Sequence, residues 1–380
     1  MHRETRIAQD NADCQALYVA LELSKKTWKL AFSDGSARKP RMVNVAFGDW
    51  DRFSGQIVKA KERFGLPADA PVRSCYEAGR DGFWIHRVLL QRGIDNVVVD
   101  SASIEVSRRH RRAKTDRLDA EKLVQQLIRY HRGEKRVWSV VRVPSVAEED
   151  ARHLHRDLEV LRGERRNHRM RIQSLLFTHG IDLKATRKFL EVLPGRCQWD
   201  GQSLPPFLQA RLLREYERLH AVEEQIRELE KERKLLLANP PTKAVEKADL
   251  LSQLRGIGPE SSWVTAMEFF GWRQFANRRE VAGAAGLVPT PYRSGDSGGE
   301  QGISKAGNPR VRRMMIEVSW CWLRYQPDSK LSKWYRERFS KGNARQRRVG
   351  IVALARRLLI DLWRLVEFGV VPEGARLKTR

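Results

Sequence analysis

The chain has 380 residues, with 72 Lys and Arg against 47 Asp and Glu, for a formal net charge of +25. Its 41% hydrophobic content excludes a globally disordered chain, and its length predicts two or three domains. The positive excess runs along the whole chain rather than in one tail. That predicts extended contact with a nucleic-acid backbone and argues against a membrane anchor.

The four cysteines, Cys14, Cys75, Cys197 and Cys321, lie far apart with no CxxC pair, so neither a zinc ribbon nor a disulfide framework is indicated. Met1 to Asp13 is polar and holds no apolar leader core. The apolar stretch Ile351–Val371 carries Arg356, Arg357, Asp361, Arg364 and Glu367, which rules it out as a bilayer span. A cytoplasmic protein with no membrane partner is expected.

The first ~145 residues alternate strand-like and helix-like patterns. Leu17–Leu23, Thr27–Ser33 and Arg41–Phe47 read as strands and Trp50–Phe64 as a helix. Val72–Glu77 is a strand, Phe83–Gln91 a helix, Val97–Asp100 a strand, and a helix follows from about Thr115 to Tyr130. This order predicts a layered α/β domain. From Ser145 to about Pro240 the pattern turns to heptads. Leu154, Leu158, Leu161, Ile172 and Leu175 form one run, interrupted by Arg165 and His168; Leu212, Tyr216, Leu219, Ile226, Leu229 and Leu236 form another. Pro194, Gly195, Pro205 and Pro206 lie between them, so two long helices joined by a turn region are expected, as a subunit contact or as an intramolecular hairpin. After Asn239–Pro240–Pro241 a mostly helical region runs from near Leu250, closed by basic amphipathic helices such as Arg347–Val366.

Lys114–Ala120 (KTDRLDA) sets Asp116 and Asp119 three positions apart, after the basic run Arg108, Arg109, His110, Arg111, Arg112. On a helix that spacing brings both carboxylates to one face, beside a surface that attracts phosphate, which suits a divalent metal acting on nucleic acid. An exposed helix start, with Thr115 or Asp116 as N-cap, uses the same residues. Glu22 and Glu77 end two of the predicted strands, and ligands in layered α/β sheets gather at carboxyl ends of strands. Four such acids could hold two divalent ions; without metal, their mutual repulsion would be costly.

Two further signals lie in the third region. Leu254–Pro259 (LRGIGP) puts Gly256 and Gly258 before a helix, either as a phosphate-facing turn or as an ordinary helix–turn–helix connection. Gly286–Asn308 is rich in Gly and Ser, lacks helical periodicity, and reads as a long irregular loop. It holds two candidate nucleophiles, Ser294 and Ser297. Arg293, Lys305, Arg310 and Arg312 are the candidate phosphate clamps.

These motifs together resemble a known family. Val19–Trp28 (VALELSKKTW), Tyr76–Gly79 (YEAG), Lys114–Leu123 (KTDRLDAEKL), the central helical segment, LRGIGP, GLVPTPYRSG and Gly302–Arg313 (GISKAGNPRVRR) follow one another as in DEDD-type insertion-sequence transposases with a C-terminal transposase-20 domain. These are the IS-one-ten family of bridge-RNA-guided recombinases, and the resemblance covers nearly the full length. It implies a RuvC-like (RNase H-like) catalytic domain at 1–145, a coiled-coil, dimerising helical segment at 146–248, and a helical serine domain at 249–380. The fold class implied is α/β plus mostly α.

By motif, the acidic tetrad falls on Glu22, Glu77, Asp116 and Asp119, and the serine nucleophile on Ser294, five positions after Pro289, with Ser297 as runner-up. The family's first acid is usually Asp; Glu22 is one methylene longer and still a hard oxygen ligand. The resemblance further implies Mg2+ in a two-metal arrangement, or Mn2+, and a covalent phosphoserine link to DNA. The implied partners are target and donor DNA, a structured guide RNA, a homodimer and a synaptic homotetramer. The candidate nucleic-acid contacts are Arg108, Arg109, Arg111, Arg112, Lys114, Gly256, Gly258, Arg293, Lys305, Arg310 and Arg312. Two other readings remain open: a metal-dependent, structure-specific nuclease that uses water, and a non-catalytic basic nucleic-acid-binding protein.

Overall fold

The computed structural model describes residues 16–104, 116–294 and 297–378. The chain divides into two compact units, Met1–Pro144 and Ser145–Arg380.

The first unit is built on a five-stranded sheet of β1 (Leu17–Glu22), β2 (Thr27–Ser33), β3 (Arg41–Ala46), β4 (Val72–Glu77) and β5 (Asp95–Val99), in the order β3-β2-β1-β4-β5. The first three strands pair antiparallel, whereas β4 and β5 run parallel to β1. Alternation along β1 explains how both faces are covered. Leu17, Val19 and Leu21 pack with Trp28, Leu30 and Phe32 beneath α1 (Trp50–Phe64) and α2 (Trp84–Gln91). Tyr18 and Ala20 pack with Ala31, Cys75 and Val99 beneath α3 (Asp116–His131), through Ala120, Leu123, Val124, Leu127 and Ile128. α1 has an Asp49 side-chain cap at its start and a left-handed Gly65 at its end. Each predicted strand and helix of this region is present with its ends shifted by no more than two residues.

The second unit opens with α4 (Val146–Asp150) and a long antiparallel helical hairpin, α5 (His153–Phe177) and α7 (Pro206–Ala238), with the short α6 (Phe189–Val192) between them. Leu158, Val222 and Ile226 form the hairpin's inner seam, and Ile172, Leu176, Phe189, Leu212 and Leu219 pack its far end. The heptad break at His168 has a local answer: its ring nitrogen lies 2.6 Å from Glu215, a buried acid of α7.

The rest is helical around a second core: α8 (Lys243–Ser252), α9 (Pro259–Thr265), a π-helical turn (Ala266–Phe270), α10 (Arg278–Ala284), α11 (Pro309–Tyr325), α12 (Lys330–Phe339) and α13 (Ala344–Phe368). Ala151 and Leu154 at one end of the hairpin, with Leu236 and Leu237, pack on Val245, Ala248 and Trp263. Residues 146–248 and 249–380 therefore share one compact unit. The stretch expected as an irregular loop is instead a two-stranded ribbon, β6 (Pro289–Ser294) and β7 (Ser297–Ile303). Its glycines carry no side chains to display the alternation that marks a strand.

Candidate active site

Glu22 and Glu77 stand side by side at the carboxyl ends of the two central parallel strands. The β1–β4 register runs from Leu17 opposite Val72 to Leu21 opposite Tyr76, and the next residue on each strand is an acid. Side-chain alternation puts Glu22 on the face of Tyr18 and Ala20, and Glu77 on the face of Cys75. That is the face covered by α3.

The direction of α3 is set by contacts at its far end. His131 lies 6.0 Å from the Tyr18 ring, and Arg132 donates to the Gly35 carbonyl at 2.6 Å, both at the start of β1. α3 therefore runs antiparallel to β1, and its first turn, with Asp116 and Asp119, lies toward the end of the sheet that carries Glu22 and Glu77. The heights match as well. The Cys75 thiol donates to the Leu123 carbonyl at 3.9 Å, which levels these two residues. Four helical residues back from Leu123 to Asp119 is a rise of about 6 Å. Two strand residues forward from Cys75 to Glu77 is about 6.6 Å.

The backbone of Asp116 begins α3, and helical spacing sets it on the same face as Asp119. Glu22 and Asp119 are half-buried and Glu77 is exposed. Among the described residues, no three acidic, His or Cys side chains stand close enough together to hold an ion. Arg108, Arg109, Arg111, Arg112 and Lys114 lie outside the described residues.

In the second unit, Ser294 and Ser297 form the last register pair of β6 and β7. The base of this ribbon is held firmly. Ser304 N–H donates to the Val288 carbonyl at 2.9 Å and Lys305 N–H to the Gly286 carbonyl at 3.2 Å. Gly307 has φ +99°, and an added Cβ there would strike the Ala284 carbonyl, so the close approach requires glycine. Asn308 then caps α11 by accepting from the N–H groups of Arg310 and Val311.

The candidate phosphate ligands of this unit divide. Lys305 is exposed, with φ +55°. Arg293 lies on β6, register partner of Gly298. Arg310 is engaged within the unit, its Nε 2.8 Å from Glu159, and Arg313 binds the other oxygen of that carboxylate at 2.8 Å. Arg312 donates to the carbonyls of Ala285 and Lys305 at 3.2 and 2.9 Å, tying the ribbon's base to α10. The LRGIGP turn has packing reasons of its own. Gly256, at φ +85°, lies against the Cys321 carbonyl, and the Gly258 N–H donates to Ser261 at 3.0 Å.

Two features escaped sequence reasoning. Lys29 is the cross-strand partner of Glu22, which puts an ammonium beside the first acid. Only the β1–β2 register reveals that, although a short hairpin between two predicted strands carries the signal. The second is Glu268, buried on the π-helical turn. It accepts from Arg156 at 2.8 Å and from the Asn308 amide at 3.0 Å, and lies 2.9 Å from His155 Nε2. Burial alone would raise its carboxyl, but the bonds from His155, Arg156 and Asn308 outweigh that and hold it well below the usual range. Through Asn308, Glu268 ties the segment after the serine ribbon to α5. π-turns of this kind recur at functional sites.

Residues 248–336 match the family described as "Transposase IS116/IS110/IS902 family". A Sinorhizobium fredii protein named as a transposase, y4rJ, is 43% identical over 97% of this chain and 96% of its own length. The chain belongs to the IS116/IS110/IS902 transposase family. More distant relatives are the transposase for insertion sequence element IS1328 of Yersinia enterocolitica, 28% identical over 57% of this chain and 63% of its own, and that for IS1533 of Leptospira borgpetersenii, 21% identical over 80% and 84%. This is thus an insertion-sequence transposase, with DNA as the partner of its reaction. Among the described residues no helix is long and apolar enough to cross a membrane.

Proposed function

We propose that this transposase cuts and rejoins DNA through a covalent phosphoserine intermediate, assisted by a carboxylate site of RuvC type. The observation that carries the reading is the placement of Glu22, Glu77 and the first turn of α3 on one face and toward one end of the sheet. The strand order β3-β2-β1-β4-β5, with three antiparallel and two parallel members, supports an RNase H-like assignment for the first unit.

In this mechanism Ser294 Oγ attacks the scissile phosphorus and forms a new P–O bond, giving up its proton to water. The DNA oxygen leaves with the bonding electron pair and takes up a proton. A free DNA hydroxyl later reverses the step and regenerates the serine. Glu22, Glu77, Asp116 and Asp119 offer only hard carboxylate oxygens, a donor set that fits Mg2+ or Mn2+. A two-metal centre held there would neutralise charge on the phosphate and the leaving oxygen. Lys29, opposite Glu22, tempers repulsion among the acids.

The proposed partners are target and donor DNA, a structured guide RNA that pairs with both, and further copies of this chain as a homodimer and synaptic tetramer. The net charge of +25 supports binding to several polyanions. Exposed aromatics at one end of the α5–α7 hairpin, Phe177, Trp199 and Phe207, support a subunit contact. Incubation with guide RNA, Mg2+ and end-labelled donor duplex tests the mechanism, with denaturing electrophoresis to detect a protein–DNA adduct. Mg2+-dependent cleavage without an adduct would favour the water-using nuclease, and no cleavage at all the non-catalytic binder.

A further inference from the structure

The strongest unassigned feature is a cleft of about 730 Å3 in the second unit, between the first turn of α10, the start of α12 and one face of α13. More than half of its lining lies beyond residue 336, where the family match ends. Its walls carry six cations, Arg278, Arg279, Lys330, Arg356, Arg357 and Arg364, against two acids, Asp361 and Glu373. Both acids are already paired: Lys330 lies 2.6 Å from Glu373, and Arg364 3.4 Å from Asp361. Arg278, Arg279, Arg356 and Arg357 have no carboxylate within ion-pair distance among the described residues.

We propose that this cleft grips the sugar–phosphate backbone of duplex DNA without reading its sequence. Guanidinium forks match phosphate oxygens in pairs, and unpaired arginines along a groove give the charge such contact needs. The apolar floor of Trp322, Leu331 and Ile360 lowers the local dielectric and strengthens the field above it. Arg357 supports the assignment: burial and the neighbouring charges of Arg338 and Arg356 push its guanidinium below its ordinary pKa, a crowding that a bound anion relieves. Duplex fits better than single strand because the cleft offers no stacking platform. The Trp322 ring is fully buried. Trp334, next to the cleft, has Arg357 at 4.0 Å and Arg338 at 5.8 Å from its ring centroid. DNA is the duplex chosen because transposition acts on it, so the inference rests on the family assignment. It does not depend on the serine and carboxylate chemistry.

The test is a salt titration of full-length protein against a fluorescent duplex of about 30 base pairs, in EDTA so that the chemistry of cleavage plays no part. Arg278→Ala/Arg279→Ala/Arg356→Ala is expected to bind ~10–100-fold more weakly near 0.1 M salt, and to lower the slope of log affinity against log salt by about 2–3, alike for unrelated sequences. Unchanged affinity and slope would overturn the proposal. So would a loss confined to an RNA duplex of the same sequence, or to one DNA sequence. If the triple variant fails to fold, Arg278→Gln/Arg279→Gln, in an exposed helical turn, is read in the same titration. It should lower the slope by about 2, and no change there overturns the proposal equally.

Discussion

Ser294 and Ser297 are register partners at the end of the β6–β7 ladder, separated in sequence by Gly295 and Asp296. The backbone register thus makes the two candidate nucleophiles neighbouring positions rather than alternatives at distant points. Ser294→Ala is expected to abolish the covalent adduct and lower strand exchange by ~10³-fold or more. Ser297→Ala should leave an adduct in place. Peptide mapping of the trapped adduct decides, and a DNA-linked peptide carrying Ser297 instead would exchange the two roles.

At the proposed carboxylate site, Glu22→Gln and Asp119→Asn are each expected to lower Mg2+-dependent cleavage by about 10²–10³-fold. Glu22→Asp shortens the side chain by one methylene, keeps the carboxylate, and should retain far more activity than Glu22→Gln. Cleavage rates over a Mg2+ titration check this. Wild-type rates in Glu22→Gln would remove that residue from the site.

The buried Glu268 carboxylate links stability to pH. Its pKa is depressed from 4.5 in the folded state, so its contribution is fully present above that value and declines as pH falls below it. Glu268→Gln is expected to cost about 3 kcal/mol at neutral pH, because it removes one member of a buried charged network. Urea unfolding of both proteins at pH 7 and at pH 3.5 measures the difference. It should shrink at the lower pH; an equal difference at both would show that the carboxylate's ionisation contributes nothing.

Gly307 separates the position of the ribbon from the stability of the first unit. Gly307→Ala combines a positive φ with a clash at the Ala284 carbonyl, a cost of about 1–3 kcal/mol confined to the second unit. Hydrogen exchange should quicken across residues 289–303 and adduct yield should fall, while protection in β1 and β4 stays unchanged. Wild-type exchange in the ribbon would mean that the close approach is not what holds it.

The strands of the first unit were legible because each is a short run of mainly apolar residues bounded by turn or loop residues, a local property that a chain read in order displays. The acids at the ends of β1 and β4 and the i,i+3 pair of α3 were legible for the same reason: strand ends and helical faces are short-range properties. The same holds for the heptads of α5 and α7.

Only the tertiary structure decided what depends on residues far apart in sequence. Register put Lys29 opposite Glu22 and made Glu22 and Glu77 neighbours. Long-range ion pairs engaged Arg310 with Glu159, across 151 positions, when the sequence offered it as a phosphate clamp. A Gly-rich stretch with no visible period became a ribbon, because its pairing rests on backbone hydrogen bonds rather than on side-chain pattern. The sequence alone thus determined which residues could do chemistry. Packing decided which of them meet, since contact between distant residues is set by the closure of the fold and not by any local preference.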